Sequence, residues 1–340
     1  MRRGSWQGPT IAEIAAEAGV STATVDRVVN RRGGVAPGKA EAVLQVLERR
    51  LGPAATGTAA RPIRLGFACD SGRTFTATLI QALERLAAED AGLTPEIFSQ
   101  PTAEVDPAAF AERVSAMLSR CDGLLVVARE HFAINRAVQA GAAAGKPVVC
   151  LTTDLPGSGR TAYVGMDQER AGSTAAWLMG RLTGGRQGRI VLVASAPYRC
   201  QEEREIGFRR VLRTEFPTLS VEESINSSDD PDFAYATMRE ILAAGPAPLG
   251  VYNTAGGNVG IARALAEAGL TGAVAFIGHE LNENSARLLE EGGMDAVLSH
   301  DVAAELRQAV AIIRGRLAGE PAPEESAAPA RPLIVTKYNR

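Results

Sequence analysis

Within the first fifty positions apolar residues recur at spacings of three and four, whereas beyond residue 62 they gather into short unbroken runs. The first regime predicts helices and the second predicts strands buried on both faces. Thr10 with Glu13 three residues on is a capping-box pattern, and Ile11, Ile14, Ala15 and Ala18 then make one apolar helical face. Gly19 ends that helix and Ser21 suits the N-cap of the next. In this second helix Val25, Val28 and Val29 point one way, and Thr22, Ala23, Asp26 and Arg27 the other. A third helix from about Pro37 repeats Ala40, Val43, Leu44, Leu47 and Leu51. The three helices form a head over residues 1–52, and the small, Pro/Gly-bearing, unpatterned residues 53–62 read as a linker or hinge.

The runs at 63–68, 96–99, 123–128, 147–151 and 162–165 predict one series of strands. Those at 189–194, 219–224, 249–252, 274–278 and 295–299 predict a second. Amphipathic stretches such as 76–90, 132–144, 257–268 and 302–318 separate them. Strand–helix alternation implies parallel sheets with helices on both faces. Two series of this length imply two doubly wound α/β lobes, since a single barrel would show eight evenly spaced strands. The predicted division of the body, 63–340, is 63–165 with 298–325 for one lobe and 166–297 with 326–340 for the other. "RPLIVTKYN", after a Pro/Ala/Glu-rich stretch, reads as a late strand added to one lobe.

Composition adds limits. Of the 340 residues 46% are hydrophobic and 22% charged, ordinary for a globular chain of two or three domains. No apolar run approaches the roughly 18 residues of a membrane span, and "MRRGSWQGPT" lacks the apolar segment of a secretory signal. Cys69, Cys121, Cys150 and Cys200 are widely spaced and read as small buried hydrophobes in a reducing compartment, so the cytoplasm is expected. The net charge of −3 hides an asymmetry: the head carries eight basic and five acidic residues, the remainder 28 and 34. A basic head on an acidic body suits an anionic partner at one end.

Ligands of open α/β sheets bind beyond the carboxyl ends of the strands. The residues there are Asp70, Arg73 and Phe75; Arg129, Glu130 and His131; Asp154, Asp167 and Arg204; and Asn253, His279, Glu280 and His300. Three readings compete for this set. Carboxylates, Arg and Asn could bind hydroxyls while Phe75 stacks on an apolar ring face. The three histidines could hold a metal, though no HxH or HExxH spacing occurs. The residues could also be the ordinary polar loops of any α/β protein. Neither a GxSxG elbow nor a GxxxxGK[ST] loop is present. The stretch "YNTAGGNVG" followed by Glu280 mimics a dinucleotide fingerprint, with Ala255 in place of the first glycine. It leaves a nucleotide-dependent enzyme using Gly256–Gly260 as the alternative reading.

"TIAEIAAEAGVSTATVDRVVNRRGGVAPGKAEAVLQVLERRLG" resembles the helix-turn-helix DNA-binding head of lactose-repressor-type (LacI-family) bacterial transcription regulators. The rest of the chain resembles their effector domain, similar to periplasmic sugar-binding proteins of type I, on "EEREIGF", "VYNT", "FIGHEL" and "DAVLSHD". The resemblance implies that the second helix enters the major groove, with Thr22, Ala23 and Arg27 at base edges. Thr10, Ser21, Thr24, Asn30 and the backbone near Val35 would touch phosphates. Asp26 replaces a usual serine, and would pair with Arg27 or accept from a cytosine amino group. "PAATGTAAR" offers no leucine as a minor-groove wedge.

In the body the resemblance places Phe75, Arg129, Glu130, Arg204, Asn253, Glu280 and His300 at effector contacts, and Arg73 joins them from the strand-end argument. The implied protein is a non-enzymatic regulator, a repressor by preference, without cofactor or metal and without membrane attachment. It would be a homodimer, with a tetramer as the alternative. Its partners would be a pseudo-palindromic double-stranded operator and a sugar or polyol effector held between the lobes, acting allosterically on the head.

Overall fold

A computed structural model describes residues 10–29, 34–51, 62–221, 225–323 and 329–340. The chain divides into two compact units, Met1–Pro62 and Ile63–Arg340. In the first, α1 (Ile11–Glu17), α2 (Thr22–Val29) and α3 (Pro37–Leu51) pack about Ile14, Ala15, Val25, Val43 and Val46. The capping box forms: the Thr10 amide donates to Glu13 Oε2 at 2.8 Å, and Thr10 Oγ1 accepts from the Glu13 amide at 3.3 Å. Gly19 takes φ +64° beyond the end of α1, and Ser21 Oγ accepts from the Thr24 amide at 3.2 Å to start α2. Ile11 departs from the predicted apolar face and is 44% exposed. It opens the helix, and the packing with α2 and α3 is made one turn later, by Ile14 and Ala15. Asn30, residues 53–61 of the predicted hinge, and the side chains of Val29, Leu44, Leu47 and Leu51 lie outside the described residues.

The second unit holds two sheets. β1 (Ile63–Ser71), β2 (Leu93–Pro101), β3 (Gly123–Val127), β4 (Val148–Leu151) and β5 (Ala162–Val164) form a parallel sheet in the order β2-β1-β3-β4-β5. The other contains β6 (Gly188–Ala194), β7 (Leu219–Val221), β8 (Ile225–Asn226), β9 (Gly250–Asn253), β10 (Ala275–His279), β11 (Ala296–Ser299) and β12 (Leu333–Val335). Its order is β12-β11-β10-β9-β6-β7, with β8 also beside β6, and only β12 runs antiparallel. The expected α/β class, with parallel strands in two lobes, is the observed one. The two-residue β8 has no counterpart among the predicted runs.

Helices α4 (Arg73–Glu89), α5 (Pro107–Arg120) and α6 (Phe132–Ala143) cover the first sheet. The second is covered by α7 (Gln168–Leu182), α8 (Arg199–Glu215), α9 (Pro231–Ala244), α10 (Asn258–Glu267) and α11 (Glu283–Glu290). α12 (Val302–Leu317) follows β11 of the second sheet yet packs on α4 and on the β3–β5 side of the first. The chain therefore crosses between sheets beyond β5, again beyond β11, and a third time between α12 and β12. At one crossing Met166 bridges to Ala330, and the Asp167 amide donates to the Ala330 carbonyl at 3.1 Å. Every residue of β3 and β4 is buried, as strands covered on both faces require.

Strand order reverses between β1 and β3 and again between β6 and β9. Such switch points leave a crevice at the carboxyl ends of the strands. One close approach sets its geometry. A Cβ on Gly172 of α7 would lie 1.8 Å from the Arg204 carbonyl, and one on Gly207 of α8 would lie 2.0 Å from the Glu169 carbonyl. The two glycines let the helix backbones touch, which seats Arg204 at the crevice.

Candidate functional site

A cleft of about 260 Å³ opens at these carboxyl ends. From the first sheet it takes Ser71, Gly72 and Phe75 after β1, and Thr152 and Thr153 after β4. From the second it takes Tyr198, Gln201 and Arg204 after β6, Thr254 to Val259 after β9, and His279, Glu280 and Ser285 at the end of β10 and beyond it. Loops at strand ends can hold polar groups that the β-ladder cannot, which is why the lining concentrates there.

Arg204 is the buried centre. Its Nε donates to Gln168 Oε1 at 2.8 Å, Nη1 to the Thr254 carbonyl at 2.9 Å and Nη2 to Glu280 Oε1 at 3.4 Å. Glu280, in the left-handed region at φ +67°, also meets His300 Nε2 at 2.9 Å, and Glu305 Oε2 lies 2.7 Å from His300 Nδ1. Burial opposes a charge on His300, but the carboxylates on either side prevail and push its pKa up to about 10. Burial likewise works against a charged Glu280, yet His300 and Arg204 hold it below the usual glutamate range. The three groups form a buried carboxylate–imidazolium–carboxylate row behind the cleft. His279 is different: burial, with the Arg204 and His300 charges, keeps it well below the ordinary imidazole range. Its Nε2 lies 2.9 Å from Tyr252 Oη, and its Nδ1 has no partner.

A second network spans the cleft. Arg129 Nε and Nη2 donate to Asp70 Oδ2 and Oδ1 at 2.6 and 2.9 Å, and Nη2 also donates to the Thr102 carbonyl at 2.7 Å. Tyr198, from the second sheet, donates its hydroxyl to Asp70 Oδ1 at 2.6 Å. Burial, then the neighbouring carboxylates, keep that phenol protonated.

Of the predicted effector residues, Phe75, Arg204 and Glu280 line the cleft together, and His300 stands behind Glu280 with its ring 6.2 Å from Phe75. The others lie elsewhere. Arg73 is exposed and paired with Glu104, because it opens α4 on the outer side. Arg129 is turned into Asp70. Glu130 is exposed, with its amide donating to the Pro197 carbonyl at 3.1 Å. Asn253 is fully buried and braces the loop before α10, donating to Asn258 Oδ1 at 2.7 Å and to the Gly256 carbonyl at 3.0 Å. The remaining strand-end groups have structural partners: His131 caps α6, Asp167 caps α7, and Asp154 pairs with Arg160. The three histidines therefore share no ligand set, and among the described residues no group of three His, Cys, Asp or Glu is placed to hold a metal.

Thr152, Thr153, Tyr198, Asp229 and Asn258 were not among the predicted site residues. The two threonines directly follow a predicted strand and were legible in principle. Asp229 follows the short β8, and nothing in the pattern marked it. The Gly256–Gly260 stretch serves packing between helices. A Cβ on Gly260 would stand 1.8 Å from the Pro231 carbonyl, and Gly257 has φ +88° with Ala234 Cβ 2.8 Å from its Cβ position. These glycines fit α10 against α9, where sequence reasoning offered a phosphate loop or helix–strand packing.

In the head, Thr10, Ser21, Thr22, Ala23 and Arg27 are exposed, and Thr24 and Asp26 half-buried. Along α2 the exposed Thr22, Ala23 and Arg27 and the half-buried Asp26 flank the fully buried Val25. A Cβ on Gly34 would lie 3.1 Å from Arg27 Nη1, so the guanidinium passes close to the loop after α2. Among the described residues no helix is long and apolar enough to cross a membrane. All four cysteines are free and buried.

A family model described as periplasmic binding protein domain matches residues 67–321, and one described as bacterial regulatory proteins, lacI family, matches residues 10–50. No curated protein matches the chain. Among solved structures, it is similar to a glucose-galactose binding protein from Geobacillus stearothermophilus at TM-score 0.73 and 18% identity, covering 82% of this chain and 99% of that one. A transporter solute-binding protein from Burkholderia graminis C4D1M, in complex with D-arabinose, gives TM-score 0.74 and 21% identity over 82% and 97%. Another from Actinobacillus succinogenes 130z, with bound D-allose, gives 0.72 and 19% over 82% and 98%.

Proposed function

The chain belongs to the periplasmic-binding-protein domain family and carries a lacI-family head, and from that premise we propose that it is a sugar-responsive, DNA-binding transcriptional regulator. Neither assignment is to an enzyme family, and the chain is not an enzyme. The reading rests on one observation: a single chain joins a head with a polar exposed helix face to a body whose strand ends enclose a cleft. At about 260 Å³ the cleft stands just under the roughly 300–1,000 Å³ of typical small-molecule sites, which suits one small ring. Phe75 offers an apolar face and Arg204, Glu280 and Asn258 offer polar edges, the combination a sugar or polyol requires. The sugars bound by the structural relatives point the same way.

In this reading α2 lies in the major groove, with Thr22, Ala23 and Arg27 at base edges, Asp26 tuning their preference, and Thr10, Ser21, Thr24 and Asn30 at phosphates. Two copies would read the halves of a pseudo-palindromic operator in the cytoplasm, as a dimer that represses. The effector, held between the lobes 63–165 with 298–325 and 166–297 with 326–340, would act through its differential affinity for two lobe arrangements. Gel-shift titration with DNA flanking the protein's own coding region, with and without a sugar and polyol panel, tests this. A retarded band that weakens steeply with salt and responds to one sugar is expected. If no such DNA is retained at low salt, or no panel member alters retention, the reading fails.

A further inference from the structure

The buried cations in and behind the cleft each have a carboxylate partner, and the cleft-lining atoms left without a hydrogen-bond partner sit on neutral groups. Arg129 commits its donors to Asp70 and the Thr102 carbonyl. Arg204 commits three of its own to Gln168, the Thr254 carbonyl and Glu280. His300 lies between Glu280 and Glu305. No lysine lines the cleft. Four carboxylates (Asp70, Asp229, Glu280 and Glu305) face three cations, Arg129, Arg204 and His300, which leaves a surplus of negative charge.

Three helices open into this cleft without a cap from their own N-cap side chain, α4 at Gly72, α8 at Tyr198 and α10 at Gly257; in α8 the Cys200 amide donates to Thr153 Oγ1 at 3.3 Å, which leaves the starts of α4 and α10. Their exposed amides would ordinarily attract an anion. The protein supplies one itself. Asp229 Oδ1 accepts from the Gly256 amide at 2.6 Å, and Oδ2 accepts from the Thr102 hydroxyl across the cleft at 2.6 Å. Its Cβ stands 2.8 Å from where a side chain on Gly72 would begin, so the carboxylate sits between the two helix starts. Ser228 and Asp229 hold this position at φ +51° and +54°, a conformation non-glycine residues keep only when their surroundings impose it. Against this, the cleft-lining atoms that are buried without a partner are Thr152 Oγ1 and His279 Nδ1, both on uncharged groups that suit hydroxyls.

We infer that the effector carries no negative charge, and that Asp229 is the specificity-determining residue that excludes sugar acids and sugar phosphates. This rests on the cleft being the effector site. The test is calorimetric titration of the full chain with matched sets: neutral sugars, their C6 acids and their terminal phosphates, plus adenosine and its 5′-monophosphate. Whichever neutral compound binds, its anionic partners are expected to bind about a hundredfold or more weakly, as like-charge juxtaposition requires. Asp229→Asn keeps the shape and tolerates the left-handed backbone, and it should narrow that gap at least about tenfold. Thr102→Val removes the hydroxyl bonded to Asp229 but keeps the charge, so its gap should match the wild type.

An anionic member binding as tightly as its neutral partner overturns the inference, as does an unchanged gap in Asp229→Asn or a narrowed one in Thr102→Val. If a sugar phosphate binds best, the charge inference falls and the sugar reading stands. If adenosine binds, its monophosphate does not, and no sugar does, the sugar reading falls and the charge inference stands.

Discussion

His300 offers a test in which a titration, the packing behind the cleft and the stability of the body are one quantity. Its imidazolium lies between Glu280 and Glu305 at 2.9 and 2.7 Å, with its side chain 1% exposed. A group whose folded pKa is raised contributes stability that is complete below its unfolded value and is lost as pH rises through the folded one. For His300 the window runs from 6.5 to about 10. Integrating over it gives about 4 kcal/mol at pH 7, about 2 kcal/mol at pH 8.5 and almost nothing at pH 10.5. His300→Gln removes the charge and leaves two carboxylates facing each other in the interior. At roughly 2 °C per kcal/mol for a unit of this size, the body of the variant should melt about 8 °C below the wild type at pH 7. The difference should close to within a degree or so by pH 10.5. Differential scanning calorimetry of both proteins from pH 6.5 to 10.5 measures it, and comparing the two cancels other groups that titrate in common. Melting curves that stay parallel across the range would show that His300 carries no proton there, and the buried row would have to be rebuilt with a neutral imidazole. Glu280, held low, acts with the opposite sign: its share is present above the usual glutamate range and is lost as pH falls below it.

Arg27→Ala should cost about 1–3 kcal/mol of discrimination against a mismatched operator, with weaker loss on random DNA; gel shifts that keep the wild-type sequence preference would remove Arg27 from the base-reading face. Gly172→Ala would drive a methyl into the Arg204 carbonyl, 1.8 Å from its Cβ position. It should cost about 2 kcal/mol or more in urea denaturation and lower effector affinity as well, and an unchanged midpoint would contradict the close α7–α8 approach. Tyr198→Phe takes a 2.6 Å donor from buried Asp70 and should cost about 1–2 kcal/mol by the same measurement, with wild-type stability counting against the cross-cleft bond.

Much of this fold was legible because parallel strands covered on both faces must be apolar at successive positions. The run at 123–128 stood out from its surroundings for that reason, and every residue of β3 is buried. Element edges were less visible where no side chain marks them. α4 begins at Arg73, three residues before the predicted start at 76, because Gly72 caps it with backbone alone. β8 is two residues long and carries no period at all. Ile11 kept the helical spacing of its neighbours yet faces outward, because periodicity gives a direction without saying how far a neighbouring helix extends.

The site was legible as a place and much less so as a set of roles. The strand-end rule located the crevice, and Phe75, Arg204 and Glu280 are in it. Yet it ranked Arg73, Arg129 and Arg204 alike, as three cations available to a ligand. What separates them is partner choice at a distance in the chain. Arg129 is matched to Asp70, 59 residues away, and Arg204 to Glu280, 76 away, while Arg73 leans on Glu104 at the surface. Each pairing is decided by which strands lie side by side, and no local spacing encodes that. The same holds for Asp229, whose partner Thr102 is 127 residues distant on the other sheet. A list of polar residues at strand ends therefore overstates the charge open to a ligand. The count that decides chemistry is taken after the protein's own pairs are removed, and in this cleft it leaves neutral hydrogen-bonding groups and one carboxylate's worth of negative field.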